Sequence, residues 1–135
     1  MVKNFAILAS FVWMTSNTHS QERLAQLSNE PECTMEITTL NQNKGRLLSL
    51  MDESTVHNKI LISLLQGDVA KNTIAEEETK LKWIYKDILG LSIEQQDRLE
   101  NLRVRVCINL ENYKKERSLY DIYTRIAVEG LKGLH

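Results

Sequence analysis

From Ser92 to Glu129 the chain contains neither glycine nor proline. Nothing in that run breaks a helix. Ser92 can accept a free backbone N–H of a first turn, and Gln95, three residues on, completes a capping box. Gly130 is the next residue that can end the run. At about 1.5 Å per residue this predicts one helix of roughly 55 Å. A helix that long needs other helices to lie against.

The preceding chain offers them. Asn29-Glu30-Pro31-Glu32 reads as a helix start, with Pro31 in the first turn and acids at the positive end of the dipole. Cys33, Ile37, Leu40, Leu47, Leu48 and Met51 then recur at helical spacing on one face. Asn41 to Gly45 is a weak stretch of that helix. Asp52-Glu53-Ser54-Thr55 offers fresh caps. Val56 to Leu65 is apolar nearly all round, which predicts deep burial. Gly67 is a C-cap candidate, and Thr73-Ile74-Ala75-Glu76 is a capping box. Ile74, Leu81, Ile84, Tyr85 and Ile88 make the next core stripe, which Gly90 is expected to end. No repeat, low-complexity tract or strand-like alternation is present.

The two cysteines, Cys33 and Cys107, decide the connectivity if they pair. A disulfide needs Cα atoms within about 7 Å. With residues 31–66 as one helix, and reversals at Gly67 and Gly90, axial rise leaves the cysteines on the order of 45 Å apart. A further reversal near Asp52 to Ser54 reduces the offset to roughly 10 Å. A Cys33–Cys107 bond therefore predicts an all-α fold, a small antiparallel bundle of about four helices at 31–51, 54–66, 73–89 and 93–129. Gly130 to His135 reads as a frayed tail.

Paired cysteines belong to an oxidising compartment, and the first twenty residues agree. Lys3 is followed by the apolar run Phe5 to Met14, then by a polar stretch ending Thr18-His19-Ser20. This is the layout of a secretory signal peptide. The run is too short for a hydrocarbon core of about 30 Å. The expected organisation is a signal peptide over 1–20 and a single helical domain over 21–135, secreted and extracellular. Cleavage removes Lys3 and no acid, taking 17 basic residues to 16 against 18 acidic ones. That balance argues against nucleic acid as a partner, and no membrane association is expected once the leader is gone. The sequence has no Asn-x-Ser/Thr site for N-glycosylation.

Chemistry is sparse. Beyond the leader there are two histidines, His57 and His135. Glu53 and His57 stand at i,i+4, but two ligands do not close a metal site. Glu76-Glu77-Glu78 reads as a solvated face. No metalloprotease, nucleophile-elbow, phosphate-loop or calcium-loop pattern occurs. The expectation is a non-enzymatic protein without catalytic residues, metal or cofactor.

Two surfaces stand out instead. On the 92–129 helix Leu99, Leu102, Val106, Leu110, Tyr113, Tyr120 and Ala127 form one stripe. Val104, Ile108, Leu119, Ile122 and Ile126 fall nearly opposite. The second stripe is covered either by the chain itself, through helix 54–66 or the arm Gln21–Ser28, or by a partner around Leu119, Ile122 and Ile126. Trp83 points away from its own core stripe, so it is either covered by Leu24 and Leu27 or is a contact anchor. Arg117 lies between Tyr113 and Tyr120 on the first stripe, where a charge must be paired or reach water. The favoured reading is a secreted protein that binds another protein, an unidentified partner or receptor, with a homodimer as one form. Its setting would be a glandular, reproductive, salivary or venom fluid. The alternative is an extracellular carrier of small apolar ligands, with a cavity lined by Met35, Met51, Ile60 and Leu64.

Overall fold

The computed structural model describes residues 31–134, the side chains of Pro31 and Glu32 excepted. These residues form three helices and no strand. Helix α1 spans Pro31–Gln66, α2 spans Lys71–Val104 and α3 spans Leu110–Lys132. They run up, down and up, with α1 and α3 both packed on α2. The expected leader and the arm Gln21–Ser28 lie outside the described residues.

Among the described residues there are three helices where four were expected, and each difference has a local cause. No reversal occurs near Asp52. Ser54 and Thr55 do not cap a new helix; their hydroxyls donate back to the Met51 carbonyl at 2.8 and 3.1 Å, so the residues are absorbed into α1. Gly90 does not end α2, since a glycine weakens a helix without stopping it. Ser92 and Gln95 are therefore interior residues, fully buried between helices. Only the turn at Gly67 falls where expected, its N–H donating to the Leu64 carbonyl at 3.2 Å. The Thr73 box is not used. Helix α2 begins at Lys71, and the Thr73 N–H donates to Asn72 Oδ1 at 3.0 Å.

The break absent from the sequence reading lies at 105–109. Cys107 N–H donates to the Leu102 carbonyl at 2.8 Å, and Val106 N–H to Arg103 at 3.1 Å. Val106 has φ 57°. This is a Schellman C-cap with valine where glycine usually stands. A β-branched residue there is strained by about 1–2 kcal/mol. Asn109 then caps α3, its side chain accepting from the Asn112 N–H at 2.7 Å.

The Cys33–Cys107 disulfide forms, with Cα atoms 5.6 Å apart. Two departures from expectation cancel to allow it. Helix α1 is unbroken, and α2 passes through Gly90 and returns almost the same distance. From Cys33 to Gln66 and from Lys71 to Val104 the axial rise is about 50 Å each way. Closing a loop with a sequence separation of 74 residues restricts the unfolded chain by about 4 kcal/mol on the chain-entropy account.

The core is a single cluster. Cys33, Leu40 and Leu47 of α1 meet Leu81, Ile84, Tyr85, Ile88, Leu99 and Leu102 of α2, and Tyr120, Tyr123 and Ala127 of α3. A polar layer crosses it. Gln95 Nε2 donates to the Leu40 carbonyl at 2.8 Å and to the Tyr120 hydroxyl at 3.0 Å. Tyr120 donates to Glu116 at 2.7 Å, and Lys44 Nζ donates to the other Glu116 oxygen at 2.7 Å. All three helices thus share one hydrogen-bonded chain, which fixes their register because a shifted helix would bury unpaired polar groups. The segment after Gly130 is not frayed: α3 continues to Lys132, and Leu131 and Leu134 pack against the core.

At 23 residues, α3 is about 35 Å long and covers only part of the α1–α2 hairpin. The far end of α1 is correspondingly open. Val56, Ile60, Ile62 and Leu65, expected to be deeply buried, are exposed, and only Leu61 of that run is buried.

Candidate functional site

The expected second stripe survives in part. Its residues Val104 and Ile108 precede α3, so the break at 105–109 separates them from the rest. Val104 is exposed and Ile108 half-buried. On α3, Tyr120, Tyr123 and Ala127 close the core, Leu119 is half-buried against it, and Ile122 and Ile126 stand 44% and 36% exposed. Ile122 and Ile126 are four residues apart and therefore neighbours on one helical face. Their exposure follows from the shape of α3, whose buried side is supplied by the tyrosines and alanine.

Trp83 is 63% exposed on α2, with Lys86 Nζ 5.3 Å from its ring centroid. It lies on a different helix from Ile122 and Ile126. Leu24 and Leu27, its candidate cover, lie outside the described residues.

The four residues of the alternative cavity do not converge. Met35 is 71% exposed and Ile60 is exposed, while Met51 and Leu64 are half-buried. A shallow groove of about 630 Å³ occurs elsewhere, between the end of α2 and the start of α3, lined by Gln96, Asp97, Glu100, Arg103, Tyr113 and Arg117 among others. Its charges answer one another. Arg103 Nε donates to Glu100 at 2.9 Å and its guanidinium lies 5.6 Å over the Tyr113 ring. Tyr113 donates to Glu100 at 2.8 Å, and Arg117 donates to the Tyr113 hydroxyl at 2.9 Å. The hydrogen bond from Arg103, reinforced by that from Tyr113, holds the Glu100 carboxyl below the usual glutamate range. Arg117 is raised, first by its bond to Tyr113. Glu100, Arg103 and Arg117 are thus each held in the charge state that these side chains ordinarily carry. The expectation that Arg117 must be paired or reach water is met in both ways, since it is also half exposed with Asp121 at 3.8 Å.

Titratable side chains also join α1 to α2 nearer the turn at 67–70. His57 Nδ1 contacts Glu77 Oε2, joining α1 to α2, and Lys80 stands 4.0 Å from the other Glu77 oxygen. Glu77 is buried, so the solvated-face reading of Glu76 to Glu78 fails at its middle residue. Asn58, the residue after His57 on α1, donates to the Tyr85 hydroxyl, eight residues past Glu77 on α2. Among the described residues no group of three His, Cys, Asp or Glu side chains could hold a metal ion, and no helix is long and apolar enough to cross a membrane.

The sequence reading missed the Gln95–Tyr120–Glu116–Lys44 layer. Tyr120 and Glu116 stand at i,i+4, but the residues around Gln95 read as a capping box. Burial is the chief reason the Tyr120 phenol lies above the ordinary tyrosine range, followed by its bond to Glu116.

No protein-family model matches the chain, and no curated protein or solved structure does either.

Proposed function

We propose that this is a small secreted helical protein, without enzymatic activity, that acts by binding another protein in an extracellular fluid. The observation that carries the reading is the apolar pair Ile122 and Ile126, exposed side by side on α3 next to the face that Tyr120, Tyr123 and Ala127 seal into the core. Apolar surface held rigidly on a packed helix is suited to a partner's groove. The Cys33–Cys107 bond supports an oxidising compartment, in keeping with the leader expected over 1–20.

Secretion from a eukaryotic host tests the setting. The expected intact mass corresponds to Gln21–His135 and gains two hydrogens on reduction; a retained leader overturns the secreted reading. The surface is tested with Ile122→Asp plus Ile126→Asp in parallel with wild type. A co-purifying extracellular protein held by wild type and lost by the variant, at unchanged helicity, is the expected result. Equal retention by both, or by neither, sinks the interaction reading.

A further inference from the structure

Along the outer side of α2, exposed residues follow one another at helical steps: Trp83, Lys86, Asp87, Gly90, Ile93, Glu94 and Asp97. Three features of this stripe point the same way. The first is Gly90, buried in sequence within a helix of 34 residues, where glycine weakens the structure. A Cβ added at Gly90 would meet nothing within 4 Å, so the folded monomer does not require a glycine there. A second helix laid across this point would.

The second feature is apolar surface on both sides of that glycine, Trp83 seven residues before it and Ile93 three after, both exposed.

The third is the order of charge. Lys86 stands four residues before Gly90 and Glu94 four residues after; Trp83 stands seven before and Asp97 seven after. Turned end for end about Gly90, Lys86 falls on Glu94 and Trp83 on Asp97, while the exposed Asp87 falls on Ile93. We propose that this face of α2 is the contact of a two-fold homodimer in which the helices cross antiparallel at Gly90. Lys86 of each copy meets Glu94 of the other, and each Trp83 indole N–H is directed at the other copy's Asp97. This is the self-matching arrangement that two-fold symmetry demands. In the monomer Lys86 lies over Trp83, and Glu94 is bonded to Arg98 at 3.0 Å; both remain exposed and able to take a further partner. A single-helix contact is small, so association in the micromolar range or weaker is expected. The contact does not involve Ile122 or Ile126 and stands independently of the function proposed above.

Sedimentation and light scattering across a concentration series test it. The expected result is a monomer–dimer equilibrium. Gly90→Leu is expected to weaken it more than about tenfold by separating the helices, with no loss of thermal stability, because the site is open in the monomer. Lys86→Glu and Glu94→Lys are each expected to weaken it by roughly tenfold, counting both copies of the pair and the new repulsion. The double exchange should recover the dimer. A monomer at every concentration overturns the proposal, as does a dimer indifferent to Gly90→Leu and to both charge reversals. Circular dichroism of each variant separates a lost interface from a lost fold.

Discussion

Gly130 of α3 lies so close to Tyr85 of α2 that a Cβ on Gly130 would fall 2.5 Å from the ring carbons. The ring has little room to retreat. Tyr85 is buried, and its hydroxyl is held by Asn58. Gly130 is thus a helix-interior glycine selected for contact rather than for termination. Gly130→Ala should destabilise the fold by about 1–3 kcal/mol through overpacking, outweighing the helix propensity alanine adds. Denaturant unfolding measures it. A stability equal to or above wild type would show that Tyr85 moves aside freely.

Val106 is the opposite case, a position that would gain from glycine. Its φ of 57° is a conformation that L side chains resist, and its side chain is exposed, so trimming it costs little packing. Val106→Gly should raise stability by about 1 kcal/mol, the relief of left-handed strain less the extra freedom glycine gives the unfolded chain. The comparison should be made with the disulfide intact. Unchanged or lower stability would mean the cap is not as drawn.

Alkaline pH should act on the fold through two tyrosines. Burial is the chief cause raising both Tyr120 and Tyr123 above the ordinary tyrosine range. A raised folded-state value favours the neutral phenol in the native protein. The stability it contributes is complete below the unfolded tyrosine value, about 10, and is lost as pH climbs from there toward the folded values. Ultraviolet titration should therefore show Tyr120 and Tyr123 ionising late and together with loss of helicity. In Tyr120→Phe the pH dependence above about 10 should flatten, while stability at neutral pH falls by about 1–3 kcal/mol because Gln95 and Glu116 lose a buried partner. Early ionisation of all tyrosines with helicity retained would refute it.

What could be read from the residues alone was the periodic part. The Cys33–Leu40–Leu47 face and the Leu81 to Ile88 stripe rest on spacing, and spacing survives folding; the turn at Gly67 rests on its glycine, and the disulfide on there being two cysteines. That Trp83 points away from its own core stripe was legible from spacing too. Punctuation was misread in both directions. Ser54 and Ser92 look like caps, yet inside a helix their hydroxyls do not stop it when the flanking chain has packing to gain. Val106 carries no signal of a break, because the left-handed cap position is one that glycine usually fills. Counting 100° steps through that break placed Val106 and Leu110 on the buried stripe, whereas both are exposed. The deep burial expected for Val56 to Leu65 failed because composition shows that a segment is apolar but not that a third helix extends far enough to cover it. The polar layer through Gln95 was hidden by the same false start at Ser92.

The Cys33–Cys107 bond spans both long helices and the exposed turn at 67–70 between them. A protease that cuts this turn leaves two peptides that still travel as one molecule. Its mass would rise by a single water, and the fragments would part only under a reductant. In a protease-rich fluid the single disulfide thus turns the most accessible loop of the hairpin into a place where a cut need not release anything.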